Sequence, residues 1–158
     1  MKILKKIAVL ALIALLILQF FGPEKNESDI ADLQPFLTET NPPASVQATL
    51  KVACFDCHSN NTRYPWYGNV EPISYWMADH VKEGKSELNF SEWNTYSVKR
   101  KDHKLEEVIE EIEKGHMPID SYLWTHSDGK LTEAQIKEIK DWVNTSRAVL
   151  AIEMEKPQ

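Results

Sequence analysis

The chain has 158 residues, with 18 Lys and Arg against 24 Asp and Glu and a net charge of −6. An acidic balance of this kind argues against nucleic acid as a partner. The sequence contains no paired-carboxylate, nucleophile-triad or phosphate-loop pattern that would support chemistry of those classes.

The chain opens on Lys2, Lys5 and Lys6 followed by an unbroken apolar run from Ile7 to Leu18, the build of an export signal. Leu18-Gln19-Phe20-Phe21-Gly22-Pro23 lacks the small residues of a peptidase site, and no cysteine lies nearby to take a lipid. As a helix, Ile7 to Phe21 would span about 22 Å and Ile3 to Phe21 about 28 Å, against a hydrocarbon core of about 30 Å. Residues 1–22 are therefore expected to form a single N-terminal transmembrane helix. It would be a membrane anchor that leaves the rest on the extracytoplasmic or periplasmic side; removal as a cleaved signal is the alternative. Those residues carry three of the basic side chains and no acid, so the remainder holds 15 bases against 24 acids, net −9. An electropositive redox partner would suit that charge, and simple solubility explains it equally well.

Residues 23–44 read as a linker, with Pro23, Pro35, Pro42 and Pro43 in an acidic, polar mix. Ile30, Leu33, Phe36 and Leu37 interrupt it and either dock on the domain or lie near the membrane. Ser45 is placed as the N-cap of a helix over Val46–Ala53. That helix runs into Cys54-Phe55-Asp56-Cys57-His58, a C-x-x-C-H pentad.

The pentad is the attachment signature of a c-type haem. Two thiols three residues apart on one helical turn can each form a thioether to a haem vinyl, and His58 is then delivered beneath the iron as proximal ligand. A thioredoxin-like pair would want a βαβ context. A structural zinc site would want a second cluster, which two cysteines in the whole chain and no H-x3-5-H pair do not supply. One covalent haem c is the cofactor expected.

The stretch Ser59 to Gly68 is a turn-forming aromatic loop, and a second helix is expected from Ile73 to about Gly84. Leu88 to Trp93 reads as a turn with aromatic anchors. Leu105, Val108, Ile109 and Ile112 recur at helical spacing, with Gly115 as C-cap. Thr132 and Gln135 stand in capping-box positions ahead of a final helix. Its stripe is Ile136, Ile139, Val143, Ser146 and Leu150, with Trp142 at the edge. No segment alternates with period two over strand length, so residues 45–152 are expected to form an all-α domain with long loops, and 153–158 a tail.

Met117, between Gly115-His116 and Pro118, is the candidate distal ligand. A thioether raises the potential relative to a second imidazole, and the flanking glycine and proline mark a placed side chain. Core filling is the competing role for any methionine. His80 on the second helix is the alternative ligand. Met77 reads as core, His103 as exposed among charges, and His126 as a turn residue. His116 could compete with Met117 or bond a propionate.

Cys54 to Ser59, Pro65-Trp66-Tyr67, Pro72 to Trp76, Gly84, Leu88 to Ser91, Trp93, Gly115, Met117-Pro118, Tyr122 and Leu131 together resemble the small bacterial haem-binding domain family of C-x-x-C-H-bearing exported proteins. The resemblance covers residues 44–151 and implies a cytochrome-c-like helical domain with haem on Cys54, Cys57 and His58. Lys85 stands where that family usually has arginine, so a bidentate grip on a propionate would be lost. A broader likeness to class I c-type cytochromes implies that Leu50 packs against Ile136, Ile139 and Val143. Three functions follow as expectations: one-electron transfer with His58 and Met117 on the iron, an open-sited haem sensor or peroxidase-like enzyme, and a haem-bearing subunit of a membrane complex.

Overall fold

A computed structural model describes residues 1–155, so the last three residues of the expected tail lie outside the described residues. Among the described residues the chain is helical throughout and no strand forms. The α-helices are α1 (Lys2–Leu18), α2 (Gln34–Thr40), α3 (Ala44–Ala53), α4 (Phe55–His58), α5 (Ile73–Glu87), α6 (Val98–Glu113), α7 (Asp120–Leu123) and α8 (Glu133–Met154). Short 3-10 turns at Ile30–Leu33, Trp66–Asn69, Phe90–Thr95 and Ser127–Gly129 link them.

The N-terminal helix corrects the first expectation. Among the described residues no helix is long and apolar enough to cross a membrane. Helix α1 has 17 residues, about 25 Å at about 1.5 Å each, and its first turns hold all three lysines. The uncharged part, Ile7–Leu18, is only about 18 Å long, well short of a hydrocarbon core of about 30 Å. The helix ends at Leu18, and Gln19, its C-cap, ties it to the domain. Its side-chain amide donates to the carbonyl of Glu71 at 3.1 Å and accepts from the Glu71 amide at 3.0 Å. Tyr75 Oη also donates to the Phe21 carbonyl, pinning the segment after α1 to the start of α5. The transmembrane helix, and the single-pass periplasmic placement built on it, are not supported.

Of the two fates open to the apolar residues of 23–44, the structure adopts docking. Leu33 and Phe36 are buried and Leu37 packs against the core; the Ile30 side chain lies outside the described residues. The Phe36 ring meets Phe90 at 4.4 Å, Trp93 at 5.2 Å, Trp142 at 6.0 Å and Phe55 at 6.4 Å. Helix α2 ends at Asn41 in the left-handed conformation (φ 39°), a residue type that tolerates it.

Helix α3 starts two residues earlier than expected, at Ala44, with Pro43 as its N-cap in place of Ser45. A proline there forfeits nothing, because the amides at a helix start have no intrahelical acceptor. Helix α5 continues past Gly84 to Glu87. The glycine serves a close approach and does not end the helix: a Cβ on it would lie 2.8 Å from the Cys57 carbonyl. Helix α6 begins at Val98, where the Ser97 hydroxyl accepts from the Arg100 amide, and Gly115 follows it with φ +69°.

The capping box of Thr132 and Gln135 forms as expected at the start of α8. Ile139, Val143, Ser146 and Leu150 are buried, and Leu50 of α3 joins them. Trp142 is not at the edge. It is buried, and its indole Nε1 donates to the Thr40 carbonyl at 2.8 Å, an acceptor that Ser146 Oγ shares. Across α6 and α8, Arg147 bonds Asp102 at 2.8 Å and Glu106 at 3.0 Å.

Candidate functional site

The C-x-x-C-H pentad lies where α3 breaks into α4. Cys54 leaves helical geometry (φ −129°, ψ −45°), yet its carbonyl accepts from the amides of Cys57 at 3.2 Å and His58 at 3.0 Å. That single turn sets His58 between two clefts, Cys57 lining one and Cys54 the other. The cysteines are free of any disulfide. Burial, and then Cys57 beside Cys54 and the Asp56 carboxylate beside Cys57, pushes Cys54 up to about 12 and Cys57 up to about 11. Both values favour the thiol over the thiolate at neutral pH.

His58 is held from behind. Its Nδ1 lies 2.9 Å from the Leu88 carbonyl, which can only accept, so Nδ1 carries the proton and Nε2 keeps its electron pair. Phe90 packs edge-on against the ring at 6.4 Å. Burial pulls the imidazole below its usual pKa despite the opposing carbonyls of Leu88 and Gly84, which favours the neutral ligand form. A backbone carbonyl on the far nitrogen is the arrangement that orients metal-binding histidines.

Two clefts open on either side of His58. One, about 330 Å³, is lined by Cys57, His58, His80, Met117, Ile119 and Tyr122. The other, about 370 Å³, is lined by Cys54, His58, Leu88, Phe90, Val108 and Met117. They share His58, Met117 and Glu87, and each is of the size that takes a cofactor. Both are walled mainly by apolar side chains with a few glutamates at the rim. The five residues singled out as thioether sites or iron ligands thus surround one pair of clefts.

Met117 is more than a third exposed. Its amide and that of His116 both donate to the Glu111 carbonyl, at 3.2 and 3.0 Å, which sets the chain direction after α6. His80 Nδ1 donates to the Trp76 carbonyl at 2.8 Å, so its Nε2 is also available within the first cleft. The remaining histidines stand apart from this role. His103 is exposed beside Glu106 and Glu107, and the His116 ring turns to Glu111 at 3.1 Å. His126 stacks on Tyr122 with centroids 4.2 Å apart. Met77 packs by Gly68, and the Lys85 ammonium is engaged by Asn26 Oδ1 at 2.7 Å.

Two residues that organise the site were not singled out from the sequence. Asp56, between the cysteines, is buried, and its carboxylate accepts from Arg63 at Nε, Nη2 and the backbone amide and from the Tyr122 hydroxyl. Asn26 knits the loop after His58 through Ser59, Thr62 and Tyr64. An acid between two thiols was a hint to Asp56. Nothing local marked Asn26.

Fold and site together define an all-helical domain whose two clefts gather two thiols, an imidazole bonded to backbone through Nδ1, and a thioether. The family model described as a haem-binding domain matches residues 13–145, and the chain belongs to that family. Neither the curated proteins nor the solved structures contain a significant match to the chain.

Proposed function

We propose that this haem protein is a one-electron carrier of the c type, with a domain over residues 45–152 that carries one haem. Cys54 and Cys57 would hold the ring through thioethers, each S–H adding across a vinyl group so that no oxidant is needed. His58 would bind the iron through Nε2, and Met117 through its thioether. When bound, haem supplies an iron couple that takes up and releases single electrons. The chain's own residues fix the ring, keep His58 neutral and oriented through Leu88, and exclude water with Phe90, Val108 and Ile112. A redox partner with a basic face is proposed, because Glu83, Glu87, Glu107, Glu110 and Glu111 line the clefts against a single lysine, Lys104.

The observation that carries this reading is the His58 Nδ1–Leu88 bond, which leaves Nε2 bare in clefts that Met117 also lines. A second reading rests on His80, whose free Nε2 lines the same cleft and could replace Met117 on the iron or serve an open distal site as acid or base. Absorption spectra of the haem-loaded protein, oxidised and reduced, with and without carbon monoxide, test both. Haem should resist acid-acetone extraction and lose that resistance in the Cys54→Ala, Cys57→Ala double variant. Met117→Ala should admit carbon monoxide to ferrous haem and lower the potential, while His80→Ala should not. The reverse pattern establishes the histidine, and rapid carbon monoxide uptake by the unaltered protein replaces the carrier with a sensor or enzyme.

A further inference from the structure

The segment carrying Met117 is tied to the chain at both ends. At its start the Glu111 carbonyl takes the amides of His116 and Met117. Between them Gly115 adopts φ +69°, and a Cβ there would meet open space, so no side-chain packing steadies this turn. At its far end, five residues past Met117, stands Tyr122. Its hydroxyl lies 2.8 Å from Asp56 Oδ2 and 2.7 Å from the Val52 carbonyl, and Arg63 Nη2 approaches it at 3.3 Å. The ring is clasped by His126, stacked 6° from parallel, and by Gly129, where a Cβ would lie 2.9 Å from the ring. Asp56 belongs to the cysteine pentad itself. It is buried, and Arg63 grips it through three donors at 2.8–3.0 Å.

We propose that the Asp56–Tyr122 hydrogen bond is a latch that holds Met117 opposite His58, and that Tyr122 is a positioning residue for the distal ligand. The inference rests on Met117 being that ligand. One carboxylate, fixed between the two thiols, thereby registers the distal loop against the attachment turn across 66 residues of chain. A charge-assisted bond to a buried carboxylate sets a position more firmly than one between two exposed groups. The Val52 carbonyl adds a second acceptor in reach, so the single phenolic proton always has a partner on the α3–α4 side.

The test uses the full haem-loaded chain and compares Tyr122→Phe with Met117→Ala and with Thr132→Ala, a cap variant remote from the clefts that controls for lost stability. Tyr122→Phe should keep its covalent haem, take up carbon monoxide in the ferrous state as Met117→Ala does, and shift the potential in the same direction. Thr132→Ala should do neither. In the haem-free chain, amide hydrogen exchange over residues 115–123 should become about tenfold faster in Tyr122→Phe, with other helices little changed. If Met117→Ala opens the iron and Tyr122→Phe does not, the latch is refuted and the ligand stands. If Met117→Ala changes nothing, the ligand assignment fails and the latch with it. Unchanged exchange over 115–123 overturns the proposal even if a variant takes up no haem.

Discussion

Gly84 shows how one hydrogen atom in place of a methyl group sets the height of a site. Helix α5 lies against the attachment turn so closely that a Cβ at this position would stand 2.8 Å from the Cys57 carbonyl and 3.0 Å from its Cβ. The obstacle is largely backbone, which cannot swing aside as a flexible side chain would. Gly84→Ala is expected to push α5 off α4 and destabilise the fold by about 1–3 kcal/mol, although alanine is the better helix former. Urea denaturation of the haem-free protein measures it, and a variant of unchanged or raised stability would show that the two helices separate freely. The same displacement would carry the Leu88 carbonyl away from His58 Nδ1. Haem incorporation should therefore fall more than stability alone accounts for.

At the scale of elements, legibility followed locality. Helices α5, α6 and α8 were readable because apolar residues recur at helical spacing and, in α8, because Thr132 and Gln135 announce the first turn within four residues. Thr132→Ala should cost about 1 kcal/mol, read as a lowered thermal midpoint with unaltered haem spectra. A larger loss would mean that the contact of Gln135 with Thr49 of α3 matters more than the cap. The reading failed where partners are distant. Residues 23–44 look like a linker because prolines and acids outnumber apolar residues, and nothing nearby reveals that Phe36 will be surrounded by four rings. Trp142 looked peripheral for the same reason, since its acceptor on Thr40 lies 102 residues away. In α1, hydropathy suggested a span, whereas the helix has 17 residues with its lysines in the first turns and is too short to cross. The candidate site divides likewise: spacing and flanking residues singled out the pentad, Met117 and His80, which the two clefts bring together, and nothing local announced the Asp56–Tyr122 contact.

On the whole-molecule scale, the segment before the pentad and the last helix close one core between them. Phe36 is completely buried, so Phe36→Ala should remove about 3–5 kcal/mol. For a domain whose total stability is on the order of 5–15 kcal/mol, that loss leaves a marginal fold. Denaturant midpoints with and without haem would measure it. A loss below about 1 kcal/mol would mean that the segment only lies on the surface of an independent domain.

The Thr40 carbonyl has a consequence for the order of events during synthesis. It accepts from Trp142 and Ser146, which are made more than a hundred residues later, so until α8 exists the pocket for Phe36 has no far wall. Contacts so far apart in sequence form late, because the intervening chain must first be drawn together. The pentad is thus already complete while the core around Phe36 is still open, and α2 settles only when α8 arrives to complete its wall. Chains arrested ahead of Trp142 should accordingly exchange the amides of α2 far faster than the finished protein.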